Sequence, residues 1–179
     1  FLSFSLYGLL WWTAFVWSGI GRGYAFFCPQ PNDKRAMSTE AKPFLKWAGG
    51  KGQLLSQLSE HLPERISKEP FTYIEPFVGG GAMLFYMLQQ FGNIKKAVIN
   101  DVNEDLILTY RIIKGDVEAL IANLDRLEKD YLAITDQNGR SQIFYEVRER
   151  YNQHIGDSIE RASQLIFLNK TCFNGLYRV

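Results

Sequence analysis

A glycine triplet, Gly79-Gly80-Gly81, stands between a short apolar run and a helical stretch, and it restricts the fold more than any other feature. The run before it, Phe71 to Phe77, carries Phe, Tyr and Ile and reads as a buried strand. Ala82 to Phe91 reads as a helix that stops at Gly92. Lys96 to Asp101, with Ala-Val-Ile inside it, reads as a second short buried strand. Strand, glycine turn, helix and strand in this order open an α/β sheet. Glycines at such a turn let the backbone approach a ligand where a Cβ would collide. The helix N-terminus beyond them offers N–H groups that have no partner within the helix.

The remaining pattern is helical. Leu54, Leu55, Leu58 and Leu62 predict a helix after Gly52 that ends near Pro63. Asn103 to Lys114 is a helix with Asn103 as cap and Gly115 as stop. Asp116 to about Ala133 repeats Leu and Ile at three- and four-residue steps, an amphipathic helix. Asp136-Gln137-Asn138-Gly139 reads as a polar turn, and Ser141 to Tyr151 and Ser158 to Leu168 complete a helical block. The predicted class is α/β, a sheet opening followed by a helical insertion.

Phe1 to Ile20 has no charged residue, and Arg22 is the first charge. The stretch is long enough to span a bilayer, but no basic segment precedes it as in a signal peptide. Met37 followed by Ser-Thr-Glu-Ala is read as the start of the folded protein, with residues 1–36 as an upstream read-through leader; a membrane anchor is the alternative. The net charge is +1, so any nucleic-acid contact must come from local clusters rather than an overall basic field. Cys28 and Cys172 form no CxxC pattern and read as free thiols of a reducing, cytoplasmic compartment. Two histidines, His61 and His154, argue against a metal site.

Asp101 ends the second strand, beyond the glycine turn. In doubly wound sheets an acid at that place binds the hydroxyls of a nucleoside ribose. The competing reading is a cap for the helix that follows. Counted from Gly79, the turn lacks the third glycine of a dinucleotide fingerprint, which disfavours NAD. Upstream, Lys42-Pro43-Phe44-Leu45-Lys46-Trp47-Ala48-Gly49-Gly50-Lys51 combines an aromatic able to stack on a purine, a Gly-Gly pair and three lysines. The full phosphate-loop signature is absent, and no strand leads into it.

Four segments then occur in order: Lys-Trp-Ala-Gly-Gly-Lys, Glu-Pro-Phe-Val-Gly-Gly-Gly-Ala, Ile-Asn-Asp-Val-Asn and Asn-Lys-Thr-Cys-Phe-Asn-Gly-Leu-Tyr-Arg-Val. Together they resemble the Dam-type DNA adenine N6-methyltransferases, over Lys42 to Val179. The resemblance implies a Rossmann-like S-adenosylmethionine-dependent fold, partial in its sheet, with a helical DNA-recognition insertion. It implies that Trp47 and Lys51 contact the methyl donor, that Phe77, Gly79 and Gly81 form its glycine turn, and that Asp101 binds its ribose. Lys46 matches a lysine turned toward DNA. Phe173 matches an aromatic that wedges into the base stack, and Asn174 and Arg178 match residues that meet base edges or phosphates. Residues 37–114 are thus expected to form the cofactor-binding part and 115–179 the start of DNA recognition.

The family's catalytic Asp-Pro-Pro-Tyr does not occur: no two prolines adjoin, and none follows Pro76. The expectation is a chain that stops before its catalytic motif, contains no catalytic residue, and is inactive alone. The expected partners are double-stranded DNA and a cognate restriction endonuclease, with no metal and no membrane. A non-catalytic nucleoside- or DNA-binding protein is the alternative.

Overall fold

The computed structural model describes residues 41–172. Expectations that fall on residues 1–40, Cys28 and Met37 among them, lie outside the described residues, as do those on Phe173, Asn174 and Arg178.

A single 3-10 turn, Lys51–Leu54, runs into α1, Leu55–Glu60. After a second 3-10 turn, Glu64–Ser67, come β1, Phe71–Glu75, then α2, Ala82–Gln90, then β2, Ile94–Ile99. The two strands pair in parallel, with Glu75 opposite Ile99. A parallel pair needs a crossover connection, and α2 supplies it. Pro76 has no N–H to donate, and β1 closes one residue before it. The strand read as Phe71 to Phe77 is therefore shorter, and the second, read as Lys96 to Asp101, runs instead from buried Ile94 to Ile99 and leaves Asp101 in the loop beyond it.

Four longer helices follow: α3, Glu104–Gly115; α4, Val117–Ala133; α5, Gln137–Asn152; and α6, Ser158–Thr171. Each opens on a side chain that accepts a hydrogen bond from a first-turn N–H: Asn103, Asp116, Asp136 and Asp157 in turn. Such caps satisfy donors that the helix cannot. The polar Asp136-Gln137-Asn138-Gly139 is a correction to the sequence reading. It is no separate turn; Asp136 accepts from Gly139 N at 2.7 Å and starts α5 directly.

α6 is the central post. Every residue from Ala162 to Asn169 is buried, and the helix packs against α3, α4 and α5. A helix covered on all sides reads as a core element rather than an amphipathic one. α3 presents Leu106, Tyr110 and Ile113 to the same core, at steps of four and three residues. On the sheet, Tyr73, Ala97 and Ile99 pack against the helical core. Ile74 and Val98, on the opposite face by strand alternation, are exposed. No helix among the described residues is long and apolar enough to cross a membrane.

Candidate cofactor and nucleic-acid site

The glycine turn begins where the strands end. Asn100 N donates to Glu75 O and Val78 N to Asn100 O, both at 2.9 Å, so the strand pairing carries on past the sheet proper. Gly81 N then closes a tight turn on Val78 O at 2.9 Å. Gly79 and Gly81 both have positive φ, +50° and +83°, a region other residues rarely enter. Packing adds to the demand. A Cβ on Gly81 would sit 2.5 Å from the Tyr110 hydroxyl oxygen and 2.9 Å from the Phe85 ring. A Cβ on Gly79 would sit 3.1 Å from the Trp47 indole, and one on Gly80 would meet the Leu45 carbonyl at 3.0 Å. The Leu45–Trp47 segment is therefore seated directly on the turn.

Asp101, two residues beyond the end of β2, holds this turn. Its Oδ2 accepts from Gly79 N at 2.9 Å and its Oδ1 from Asn103 N at 3.1 Å. Asp101 is not the cap of α3; that role falls to Asn103, whose Oδ1 accepts from Leu106 N at 2.8 Å. A carboxylate offers about four acceptor positions, so two such bonds orient Asp101 without exhausting it. Tyr110 on α3 adds a third tie, donating to Gly79 O at 3.0 Å.

Lys51 reaches the same turn from the other side. Its Nζ donates to Glu75 Oε1 and to the Phe77 carbonyl, each at 2.8 Å. Glu75 is buried, and its second oxygen accepts from the Tyr73 hydroxyl at 2.8 Å. Burial, then the hydrogen bond to Glu75 and its charge, pushes the Tyr73 hydroxyl far above the usual tyrosine range. Tyr110 is pushed the same way, by burial first and then by the charges of Glu75 and Asp101. Both phenols are held as neutral donors. Phe77 and Val102, flanking this end of the sheet, are exposed apolar residues at 72% and 89%.

Trp47, Lys51, Gly79 and Asp101, distant in sequence, thus converge on one turn. Gly81 belongs to it as a buried packing position. Lys46, adjoining Trp47, keeps its side chain exposed while its backbone is clasped by α6. Asn169 Oδ1 accepts from Lys46 N at 3.1 Å, and Asn169 Nδ2 donates to Lys46 O at 2.8 Å. The ammonium of the next residue, Lys170, is lowered from its ordinary range by desolvation and then by repulsion from Lys46, so the two lysines share one patch. Glu75, Tyr110 and Asn169 hold the turn and the Lys46–Trp47 segment in place, and the sequence reading passes over them. Glu75 and Asn169 open two of the recognised motifs, so their presence was visible; their partners, far away in sequence, were not. Among the described residues, no cluster of His, Cys, Asp and Glu could hold a metal ion.

Comparison with known proteins agrees with these motifs. The profile of the D12 class N6 adenine-specific DNA methyltransferases matches residues 47–179. The type II methyltransferase M.MjaIII of Methanocaldococcus jannaschii is 51% identical over 143 residues, covering 78% of this chain and 49% of that protein. The DNA N-6-adenine-methyltransferase of Escherichia phage P1 is 35% identical over 158 residues, covering 84% of this chain and 19% of its own. A DNA adenine methylase of Vibrio cholerae is 31% identical over 137 residues, covering 76% and 43%. The chain spans half or less of the length of each of these relatives. With ordered motifs, a glycine turn gripped by an acid, and a family match over most of its length, the chain belongs to the D12 class N6 adenine-specific DNA methyltransferases.

Proposed function

We propose that this chain supplies the S-adenosylmethionine pocket, and the opening of the DNA-reading region, of a site-specific DNA adenine N6-methyltransferase. The observation that carries the reading is the convergence of Trp47, Lys51, the glycine turn and Asp101 at the carboxyl ends of two parallel strands. In open α/β sheets ligands bind at that end. The fold is accordingly read as Rossmann-like, with residues 37–114 forming the cofactor part and the helices from 115 onward a DNA-recognition insertion.

The residues present suit the cofactor. The absence of a side chain at Gly79 lets the Trp47 indole lie directly on the turn, and Asp101 beside it keeps acceptor capacity for a ribose diol. Trp47 and exposed Phe77 and Val102 offer apolar surface for a purine; base stacking on an aromatic contributes roughly 1–3 kcal/mol. Lys51, neutralised by Glu75 on one side, adds a cationic group at the rim. S-adenosylmethionine supplies an electrophilic methyl group, and no metal is called for. On the DNA side, Lys46 with Lys170 beside it makes a local positive patch for phosphate, and Phe173, Asn174 and Arg178 follow in sequence as candidates for contacting the base stack, base edges and backbone. The substrate is double-stranded DNA; adenine N6 is reached once the base leaves the stack. Cytoplasmic location and a cognate restriction endonuclease belong to the same reading.

Titration calorimetry of the protein with S-adenosylmethionine and with NAD tests it. S-adenosylmethionine binds and NAD does not, and Asp101→Ala weakens the binding by about 1.5–3 kcal/mol, the worth of hydrogen bonds to a charged group. Preference for NAD, or unchanged affinity in Asp101→Ala, overturns the assignment.

A further inference from the structure

We infer that Asn169 is a positioning residue that couples methyl-donor binding to DNA binding; the inference rests on the reading of Trp47 and Lys46 given above. Asn169 is 1% exposed and spends its side-chain amide on one residue of a remote segment, accepting from Lys46 N and donating to Lys46 O. Those two groups belong to different peptide planes. The N–H lies in the plane joining Leu45 to Lys46, and the C=O in the plane joining Lys46 to Trp47. Gripping both fixes the backbone on either side of the Lys46 Cα. One grip therefore sets where the Lys46 side chain leaves the chain and where the next residue, Trp47, seats its indole against Gly79.

Asn169 itself stands near the end of α6, four residues before Phe173 in sequence. It thus ties the buried helix to the segment that carries both the exposed Lys46 side chain and the cofactor-facing indole. Away from water, loss of either hydrogen bond strands a buried polar group, so the clasp moves as a unit rather than loosening by degrees. A shift of the Lys46 backbone when its side chain engages DNA is passed through the clasp to Trp47, and ordering of Trp47 by the donor is passed back, since coupling between sites is reciprocal. A second tie between α3 and α6, Arg161 to Asp105, touches neither ligand-facing segment and provides the contrast.

The experiment measures the dissociation constant of S-adenosylhomocysteine with and without sheared unmethylated genomic duplex DNA. The ratio of the two is the coupling factor. Wild type is expected to show about fivefold coupling or more. Asn169→Asp keeps the side-chain volume and the acceptor for Lys46 N but removes the donor to Lys46 O; it should bring the factor toward one. Asn169→Ala should do the same if it folds. Arg161→Met should lower the melting temperature and leave the factor intact. An unchanged factor in folded Asn169→Asp, no coupling in wild type, or equal loss in Arg161→Met each overturns the inference. Lys46→Ala and Trp47→Ala separate the two levels. Unchanged DNA affinity in the first and unchanged S-adenosylhomocysteine affinity in the second would bring down the site reading, and this inference with it. Normal single-residue losses with an unaffected Asn169 ratio would bring down the coupling alone.

Discussion

At single residues, the glycine turn owes its composition to two separate demands. Gly79 leaves room for the Trp47 indole, at a place where a ligand would also come close. Gly81 instead serves the interior: it is buried, has a φ of +83°, and faces the Tyr110 hydroxyl and the Phe85 ring. Gly81→Ala therefore adds backbone strain to a clash with groups that cannot easily withdraw, because Tyr110 is bonded to Gly79 O. Strain of this type costs about 1–3 kcal/mol, and the urea midpoint should fall accordingly. An unchanged midpoint would mean that the turn can relax and that the triplet is less constrained than its contacts imply. Asp101 was open to two readings in the sequence, ribose ligand or helix cap. The cap is Asn103, and Asp101 is bonded across to Gly79, a pairing that spans 22 residues and leaves no trace in local spacing.

At the level of elements, most of what was legible came from local rules. The apolar repeats of α3 and α4, the Asn103 cap and the presence of two short strands around a helix all follow from periodicity and punctuation. The start of α5 was misread because Asp, Gln, Asn and Gly together look like a turn, while the same Asp136 can equally begin a helix when its carboxylate takes the Gly139 N–H. Propensity cannot separate the two; the packing of Val147 and Tyr151 against the core decides. The full burial of α6 was also beyond a sequence reading, since Ser163, Gln164 and Asn169 look like a polar face. Ser163 and Gln164 return their side-chain donors to the Ile159 and Ile155 carbonyls, and Asn169 spends its amide on Lys46. α6 begins with a reciprocal cap in which Asp157 accepts from Glu160 N at 2.9 Å and Glu160 accepts from Asp157 N at 3.1 Å. Asp157→Ala should cost about 1 kcal/mol, read as a lowered melting temperature. Because α6 is the post against which α3, α4 and α5 pack, the loss should appear as cooperative unfolding at lower temperature; fraying confined to one helix would contradict that architecture.

Across the whole molecule, buried polar groups tie the sheet end to the helices, and they set how stability responds to pH. Tyr73 and Tyr110 are held neutral well above the ordinary tyrosine value of 10.0. The folded state therefore keeps protons that the unfolded chain gives up. Their contribution is fully present below about pH 10 and is lost as pH climbs beyond it. Tyr73→Phe should flatten the alkaline limb of a stability profile taken from about pH 9 to 11; an equally steep limb would remove Tyr73 from the cause.

The helical unit has a comparable buried tie in Asp105. Its Oδ1 takes Arg161 Nη2 at 2.5 Å and its Oδ2 takes the Tyr151 hydroxyl at 2.7 Å, joining α3, α5 and α6 at one carboxylate. The Arg161 guanidinium also lies 5.5 Å from the centre of the Tyr151 ring. The side chains of Arg161 and Asp105 are 12% and 19% exposed, so each charge depends largely on the other rather than on water. Asp105→Ala removes the carboxylate that both the Arg161 guanidinium and the Tyr151 hydroxyl share. Removing one partner of a buried pair costs on the order of 3–5 kcal/mol, and the residual exposure here favours the lower end. Asp105→Asn separates charge from geometry, since its amide oxygen can still accept from Tyr151 or Arg161. A loss near 3 kcal/mol in the alanine variant with a clearly smaller loss in the asparagine variant is the expected pattern in urea unfolding. Equal losses would mean that charge pairing, not the shared hydrogen bonds, holds the three helices together. No loss in either would mean that apolar packing around Leu106, Leu165 and Phe167 suffices without the carboxylate.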